Sequence, residues 1–491
     1  MTQAFGPDED AHRAVEGLYS RPNVTKPTEH TLENDSLGFR SDPELRMHWL
    51  TAFGRLVNAH TSRLCQLAAE EVHKPYFEAL TGDVLALLTS IRWHAKHASG
   101  VLASRNAPGT PWFLVGQRSV LCRQPLGTVG IIATWNYPIQ LLGIQLVAAI
   151  VGGNKVVVKP SERCPQTQGL LLDLAQQALQ TAGMPSQTIT VLPATREAGA
   201  AMLADHDSGG RHLDHVVFTG STTIGRTIAA WGAEALVPTT LELSGCDSAI
   251  VLDDCSPALV ALAAKSIWNG VTMNAGQTCM APRRVLVASG VADDFVRAMR
   301  PLAAAAEGRT LIDAAAAARC FELAQDAVNR GATTASGTLE APIGASLRPL
   351  CLLDCPPDCP AASGDHFGPL LCIIRVADEA GALRLQHRFG QHLSVSVYTG
   401  NPRRVRQELA GLLGASQVNI NDTLLPTAIP GTSIAGAGPS GWGASRGGEG
   451  LLAMTRQVAI STTSLRLRAP LEKQDDKFVR RFAGFMKWMF R

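Results

Sequence analysis

Two short segments hold side chains able to do covalent and proton-transfer chemistry. Asn274-Ala275-Gly276-Gln277-Thr278-Cys279 sets a thiol behind a run of small residues, a turn flexible enough to bring a substrate close. A free thiol is only about 3% ionised at neutral pH, so a reactive Cys279 needs a lowered pKa. Leu241-Glu242-Leu243-Ser244-Gly245 sets a carboxylate among apolar neighbours. Desolvation there raises its pKa towards the range of a general base. Each segment also has a plainer reading, a buried structural cysteine and an ordinary charged residue at a strand end. Neither decides the matter alone.

The elements that must position these groups are legible around them. Thr128–Ala133, Lys155–Val158, Thr188–Leu192 and His215–Phe218 are short apolar runs that read as buried strands. Ile139–Val151 is apolar almost all round and stops at Gly152-Gly153, as a buried helix with a glycine cap does. Helical spacing recurs over Gln166–Thr181 and Thr223–Ala235. Apolar strands alternating with helices imply a doubly wound parallel sheet, whose ligands sit outside the carboxyl ends of the strands. Asn136, Lys159, Glu162, Gly220 and Ser221 fall there. The helix after Gly220 presents N–H groups and a partial positive charge to an anionic pyrophosphate. The glycine fingerprint usual at such a turn is absent. A literal G-x-G-x-x-G at Gly436, Gly438 and Gly441 has no strand feeding it and reads as a loop.

Taken together these segments resemble the NAD(P)-dependent aldehyde dehydrogenase superfamily. The resemblance rests on Pro125-Leu126-Gly127, Thr134-Trp135-Asn136-Tyr137-Pro138, Val158-Lys159-Pro160-Ser161-Glu162, Phe218-Thr219-Gly220-Ser221, Leu241-Glu242-Leu243 and Gly276-Gln277-Thr278-Cys279. Phe367-Gly368-Pro369 and Val418-Asn419-Ile420-Asn421 extend it, so that it runs over roughly residues 40–460. The wording of the Thr134–Pro138 motif is most similar to the class 3, fatty and aromatic aldehyde branch. The resemblance implies that Cys279 attacks an aldehyde as a thiolate and that Asn136 and the Cys279 N–H hold the oxyanion. After hydride transfer leaves a thioester, Glu242 would activate the water that releases a carboxylic acid. It also implies a cofactor site drawn from Thr134, Trp135, Lys159, Ser161, Glu162, Gly220, Ser221, Asp365 and Phe367. A carboxylate at Glu162 repels a 2′-phosphate, so NAD is expected, with NADP the alternative.

Four departures from the family pattern stand out. Asp365 occupies the place of a glutamate, its carboxylate withdrawn by about 1.5 Å. Ser244-Gly245-Cys246 replaces Gly-Gly-Lys, the spacing from Glu242 to Cys279 is slightly long, and Ser433-Ile434-Ala435-Gly436 replaces Pro-Phe-Gly-Gly. Two rivals to simple aldehyde oxidation follow: a CoA-acylating variant in which a thiol replaces water, and a catalytically weak scaffold that keeps the fold.

The implied architecture is an α/β, aldehyde dehydrogenase-like fold. It has a polar tail over residues 1–40, a Rossmann-type NAD-binding domain over 41–245, a catalytic α/β domain over 246–425 and a return segment over 426–491. A hairpin at 112–123 and a strand near 457–461 would form a small oligomerisation element, implying a homodimer or homotetramer. The 491 residues are 46% hydrophobic and 18% charged, which excludes disorder as the main state. A net charge of +2 gives no field that argues for nucleic acid. Eleven irregularly spaced cysteines do not read as a disulfide framework, so a reducing, cytoplasmic setting is expected. The first 40 residues lack the apolar core of a secretory signal. Gly127–Asn154 carries no charge, yet Asn136, Pro138, Gln140 and Gln145 fit a strand, a loop and a helix better than a membrane span. Cys351, Cys355 and Cys359 beside His366 lack paired zinc spacing, so no metal is expected. At the C-terminus Phe478, Val479, Phe482, Phe485, Met486, Met489 and Phe490 share one helical face, with Lys477, Arg480, Arg481, Lys487 and Arg491 on the others. That pattern suits either docking on protein or peripheral contact with a membrane.

Overall fold

The computed structural model describes residues 42–110, 116–207, 212–390, 393–464 and 475–490. The tail expected over 1–40, residues 112–115 of the expected hairpin, and Arg491 lie outside these ranges. The chain divides into two compact units, Met1–Leu102 with Gln124–Arg456, and Ala103–Arg123 with Gln457–Arg491.

The larger unit begins with three helices that the sequence reading did not assign: α1 (Pro43–Ala59), α2 (Thr61–Val72) and α3 (Leu85–Val101). Asp42 caps α1 by accepting from the Glu44 and Leu45 N–H groups, and Pro43 fills the first helical position. The α1 stripe of Trp49, Leu50, Phe53 and Val57 is wholly buried. The smaller unit pairs β1 (Arg105–Asn106) with β2 (Gln117–Pro125) in antiparallel register.

The first sheet follows. Its parallel strands are β3 (Thr128–Ile132), β4 (Lys155–Lys159), β5 (Ile189–Val191), β6 (His215–Gly220) and β7 (Thr239–Leu243). Between them run α4 (Gln140–Val151), α5 (Pro165–Ala182), α6 (Arg196–Asp207) and α7 (Thr222–Ala235). Helix α4 ends where Gly153 turns to φ +90°, and α5 ends at Gly183 with φ +70°. Helices α1 and α3 pack with α4 and α5, and the Trp49 Nε1 donates to the Ala175 carbonyl of α5 at 3.0 Å. The uncharged stretch 127–154 is thus a strand, a turn and one short helix. Among the described residues no helix is long and apolar enough to cross a membrane.

The second sheet has seven strands. Its parallel members are β8 (Asp247–Val251), β9 (Pro282–Ala288), β13 (Leu350–Leu353), β14 (Leu370–Val376), β15 (Ser394–Tyr398) and β16 (Gln417–Ile420), with β11 (Thr333–Thr334) antiparallel at one edge. Alternate residues of these strands feed opposite cores. Val285 and Val287 face α8 (Pro257–Thr272) and α9 (Ser289–Ala304), whereas Leu286 and Ile374 face α10 (Ala314–Asn329) and α11 (Glu379–Phe389). A two-stranded ribbon, β10 (Arg309–Thr310) with β12 (Ser346–Leu347), lies outside that sheet.

The return segment corrects one sequence expectation. The Gly436–Gly441 region is not a plain loop. Strand β17 (Gly441–Trp442) pairs antiparallel with β7, setting Gly441 opposite Glu242. Gly441 has φ +102°, and a Cβ there would lie 2.1 Å from the Leu241 carbonyl oxygen. The glycine serves close backbone pairing rather than a phosphate. Helix α12 (Gly447–Ala453) then leads into β18 (Thr455–Thr463), which returns to β2 in the smaller unit, where Ser461 Oγ lies 2.8 Å from Ser119 Oγ. Helix α13 (Asp476–Met489) closes the described chain, its Asp475 cap accepting from the Phe478 N–H.

Candidate active site

Cys279 follows a turn that is tied down rather than flexible. Asn274, Ala275 and Gly276 have φ +51°, +52° and +70°, three successive left-handed residues, the first two of which bear side chains. Such conformations persist only where surrounding contacts over-determine them. Here the Glu78 carboxylate accepts from the Asn274 N–H at 2.6 Å, and the Gln277 N–H and Nε2 both donate to the Asn274 carbonyl. The Asn274 amide donates to the carbonyls of Asn136 and Gln277. Arg283, wholly buried at the start of β9, donates to the carbonyls of Gly276 and Thr278 at 2.8 and 2.9 Å. Cys279 itself is partly buried.

Asn136 comes to this turn across 141 positions of sequence. Its side-chain amide donates to the Gln277 carbonyl at 3.1 Å, two residues before the thiol. An amide nitrogen carries a second N–H, which suits it to an oxyanion beside Cys279. The next residue, Tyr137, meets Thr278 hydroxyl to hydroxyl at 2.8 Å. Beneath Tyr137 lies a pair that sequence reasoning missed. The Lys74 ammonium donates to Asp83 at 2.6 Å with neither side chain exposed, and lies 3.5 Å from the centre of the Tyr137 ring. Asp83 also accepts from the Ile139 and Gln140 N–H groups, so one buried ion pair fixes the Asn136–Pro138 turn where α4 begins.

Glu242 is the penultimate residue of β7 and is buried. It accepts from Thr219 Oγ1 at 3.3 Å and from the Ser445 hydroxyl, and Gln145 in turn donates to Thr219 at 2.9 Å. Burial pushes its carboxyl up, against the opposing pull of Ser445, the Arg446 guanidinium and Thr219. A raised carboxyl pKa is what a general base near neutral pH requires. The Glu242 charge also acts on both Cys279 and Arg446. Ser445 and Arg446 were not foreseen, since nothing local in the Gly443–Gly447 segment points to Glu242.

The thiol departs from expectation. Burial, then the like charges of Glu242 and Asp247, push Cys279 up to about 12, with Arg283 and the Met280 N–H pulling the other way. The residues of the chain therefore keep the sulfur protonated at neutral pH, whereas the sequence reading called for a lowered pKa. Its proton must leave to a base when the thiol reacts.

The cofactor candidates gather at the carboxyl ends of the first sheet. Lys159, the last residue of β4, donates to Glu162 at 2.9 Å, and Arg196 reaches the other Glu162 oxygen at 3.2 Å. Gln168 on α5 was missed, yet its amide binds the carbonyls of Thr134 and Pro138 and accepts from the Ser161 N–H, joining the ends of β3 and β4. Ser161 Oγ accepts from Arg163, and Ser221 caps α7 by accepting from Ile224 just after Gly220. A carboxylate paired with an ammonium at the end of β4, and a capped helix start at the end of β6 on the same sheet, fit the ribose hydroxyls and phosphates of a dinucleotide. Nearer the thiol, Trp135 meets Phe367 edge to face at 5.8 Å. Asp365 accepts from the Phe367 N–H at 3.1 Å and faces Arg283 Nε at 3.6 Å, so its shortened carboxylate is turned partly towards the protein.

The cysteines singled out near His366 go elsewhere. Cys355 and Cys359 lie sulfur to sulfur at 3.1 Å, and Cys351 packs in the core facing α8 and α9. Among the described residues no group of three or more His, Cys, Asp or Glu side chains is placed to hold a metal. Cys246 is buried and donates to the Gly364 carbonyl at 3.0 Å.

Residues 38–460 match the family model described as the aldehyde dehydrogenase family. The mitochondrial succinate-semialdehyde dehydrogenase of Arabidopsis thaliana is 30% identical over 385 residues, 76% of this chain and 70% of that protein. An NADP/NAD-dependent aldehyde dehydrogenase of Escherichia coli is 27% identical over 402 residues, 79% of this chain and 78% of its own. Among solved structures, the salicylaldehyde dehydrogenase of Pseudomonas putida superposes with a TM-score of 0.81 at 23% identity, covering 94% of this chain and 92% of that one.

Proposed function

The chain belongs to the aldehyde dehydrogenase family and is an NAD(P)-dependent aldehyde dehydrogenase, and from that premise we propose that Cys279 is its nucleophile, Glu242 its general base and Asn136 its oxyanion donor. The observation that carries this assignment is the Asn136 amide lying on the Gln277 carbonyl, beside the nucleophile turn. When bound, NAD(P)+ takes up the hydride that oxidation removes. Cys279 attacks the aldehyde carbon, and the Asn136 amide with the Cys279 N–H receives the oxyanion. Cys279 gives its proton to solvent as it attacks, and Glu242, whose raised pKa makes it a ready proton acceptor, takes a proton from the water that cleaves the thioester. Its place in the site favours hydrolysis over transfer to CoA. Lys159 and Glu162 hold the adenosine ribose, and Glu162 favours NAD over NADP. The substrate class is a fatty or aromatic aldehyde, following the class 3 resemblance.

Cofactor reduction over an aldehyde series, with and without CoA, tests the reading. Acid formation without CoA and its abolition by Cys279→Ala support it. Turnover that survives Cys279→Ala contradicts the nucleophile, and a requirement for CoA contradicts the fate of the thioester.

Members of the family act on small-molecule aldehydes and are commonly oligomeric. The proposal extends to a cytoplasmic homodimer or homotetramer assembled through β1, β2 and β18. It also gives α13 peripheral contact with an anionic membrane. On α13 Phe478, Val479, Phe482, Phe485 and Met486 are all exposed, with Trp488 71% exposed beside them. Lys477, Arg480, Arg481 and Lys487 flank that face with positive charge. Full-length protein that stays in the supernatant with anionic vesicles refutes the contact. Sedimentation that disappears on deleting 475–491 supports it.

A further inference from the structure

Arg283 is a wholly buried cation, and its three nitrogens face two different turns. Nη2 donates to the Thr278 carbonyl at 2.9 Å, immediately before the nucleophile. Nη1 is shared between the carbonyls of Gly276, at 2.8 Å, and Gly368, at 3.2 Å. Nε makes no hydrogen bond but lies 3.6 Å from Asp365 Oδ1, and none of the side chain is exposed. The two turns meet backbone to backbone, so close that a Cβ on Gly276 would lie 2.2 Å from the Gly368 carbonyl carbon. A guanidinium is the one side chain whose fixed fork can satisfy three carbonyls in two directions while staying charged. A buried cation at such a place is costly unless hydrogen bonds and a counter-charge are supplied, and this one has three carbonyl acceptors and the Asp365 carboxylate.

We propose that Arg283 is a positioning residue that fastens the nucleophile turn to the Asp365–Pro369 turn as one rigid platform and sets a fixed positive charge behind Cys279. The inference rests on the assignment of Cys279 as nucleophile. Its charge opposes the carboxylates of Glu242 and Asp247, which raise the thiol. Its fork supplies the geometry, holding the sulfur and the Phe367 side of the site at one separation. By facing Arg283, the Asp365 carboxylate becomes part of the platform. The shortening of this side chain relative to the family's glutamate is thereby matched by a partner within the protein.

Two substitutions separate charge from geometry. Arg283→Lys keeps the charge but cannot bridge both turns, and Arg283→Met keeps much of the volume without either property. The probe is iodoacetamide, with the rate of alkylation followed from pH 6 to 10 and the modified peptide identified. Arg283→Lys should leave the alkylation profile of Cys279 within twofold of the wild type while lowering kcat about 10- to 100-fold, the range expected for a displacement near 1 Å. Arg283→Met should in addition alkylate about tenfold more slowly at pH 8, as loss of a nearby opposite charge requires. If Arg283→Met does not fold, Arg283→Gln, which keeps N–H donors without the charge, serves for the same pH profile. Wild-type kcat in Arg283→Lys, or a wild-type profile in a folded uncharged variant, overturns the proposal. Label that lands on another cysteine in the wild-type protein shows instead that the nucleophile assignment itself has failed.

Discussion

Replacing Gly276 by alanine probes the nucleophile turn with a single methyl group. The residue sits at φ +70°, and the added Cβ would fall 2.2 Å from the Gly368 carbonyl carbon, 2.3 Å from its oxygen and 2.5 Å from the Pro369 nitrogen. Ordinary contact begins at 3.4 Å, so backbone must move by about 1.2 Å to admit it. None of the three opposing atoms belongs to a side chain that could rotate away. A left-handed alanine costs about 1 kcal/mol and overpacking a closed site about 1–3 kcal/mol more, so the variant should lose about 2–4 kcal/mol of stability. Cys279 lies three residues on, and a displacement near 1 Å at a reacting atom lowers turnover about 100-fold. Gly337→Ala is the control, because Gly337 shares a positive φ (+86°) but has nothing within 4 Å of its added Cβ. It should lose about 1 kcal/mol at full activity. The assays are chemical denaturation and steady-state cofactor reduction. Activity within threefold of the wild type together with unchanged stability in Gly276→Ala would refute the claim that the two turns are locked backbone to backbone.

Glu162→Gln should raise kcat/KM for NADP relative to NAD about tenfold, since a like charge near the 2′-phosphate is removed. Burial works against ionisation of Glu162, but the hydrogen bond and charge of Lys159, helped by Arg196, hold its carboxyl down to about 2. Glu162 should therefore stay ionised from pH 5 upwards, so that any change in preference near pH 6 follows the second ionisation of the 2′-phosphate. The ion-pair contribution of Glu162 to stability, present above about 4.5, should fade as pH falls towards 2. An NADP-to-NAD ratio left unchanged by Glu162→Gln would contradict this. Lys74→Met leaves Asp83 buried without its cation and should cost about 3 kcal/mol in urea denaturation, with an accompanying fall in kcat as the Asn136–Pro138 turn loosens. A loss below 1 kcal/mol would show that the two N–H donors to Asp83 suffice alone.

The strands of the first sheet were legible because a buried parallel strand must be apolar throughout, and Val156, Val157 and Val158 leave little other choice. The proposed nucleophile and base stand out as candidates because their chemistry needs uncommon residue types in short, ordered words. What surrounds them was not. Glu78 reaches Asn274 across 196 positions, and Ser445 reaches Glu242 across 203. A polar side chain whose partner is set by the tertiary fold carries no local signature, and Gln168 and Arg283 read as ordinary polar residues until the strands are assembled. The glycines at 436, 438 and 441 imitate the spacing of a phosphate loop but have no strand feeding them, and what their sequence hides is that Gly441 pairs with β7. The turn before Cys279 looked flexible because its residues are small. It is held by at least six hydrogen bonds, and three of the groups that make them, those of Glu78, Asn136 and Arg283, come from outside the turn.

Trapping the covalent intermediate tests the central claim most directly. Glu242→Gln should still acylate Cys279 but hydrolyse the thioester at least about 100-fold more slowly, the usual effect of losing a general base. Mixed with NAD and an aldehyde, then quenched in acid within seconds, it should release close to one equivalent of reduced cofactor per site. It should also carry one acyl group on the peptide containing Cys279. Reduced cofactor formed with no acyl group on that peptide, or with the acyl group on another cysteine, would contradict the account.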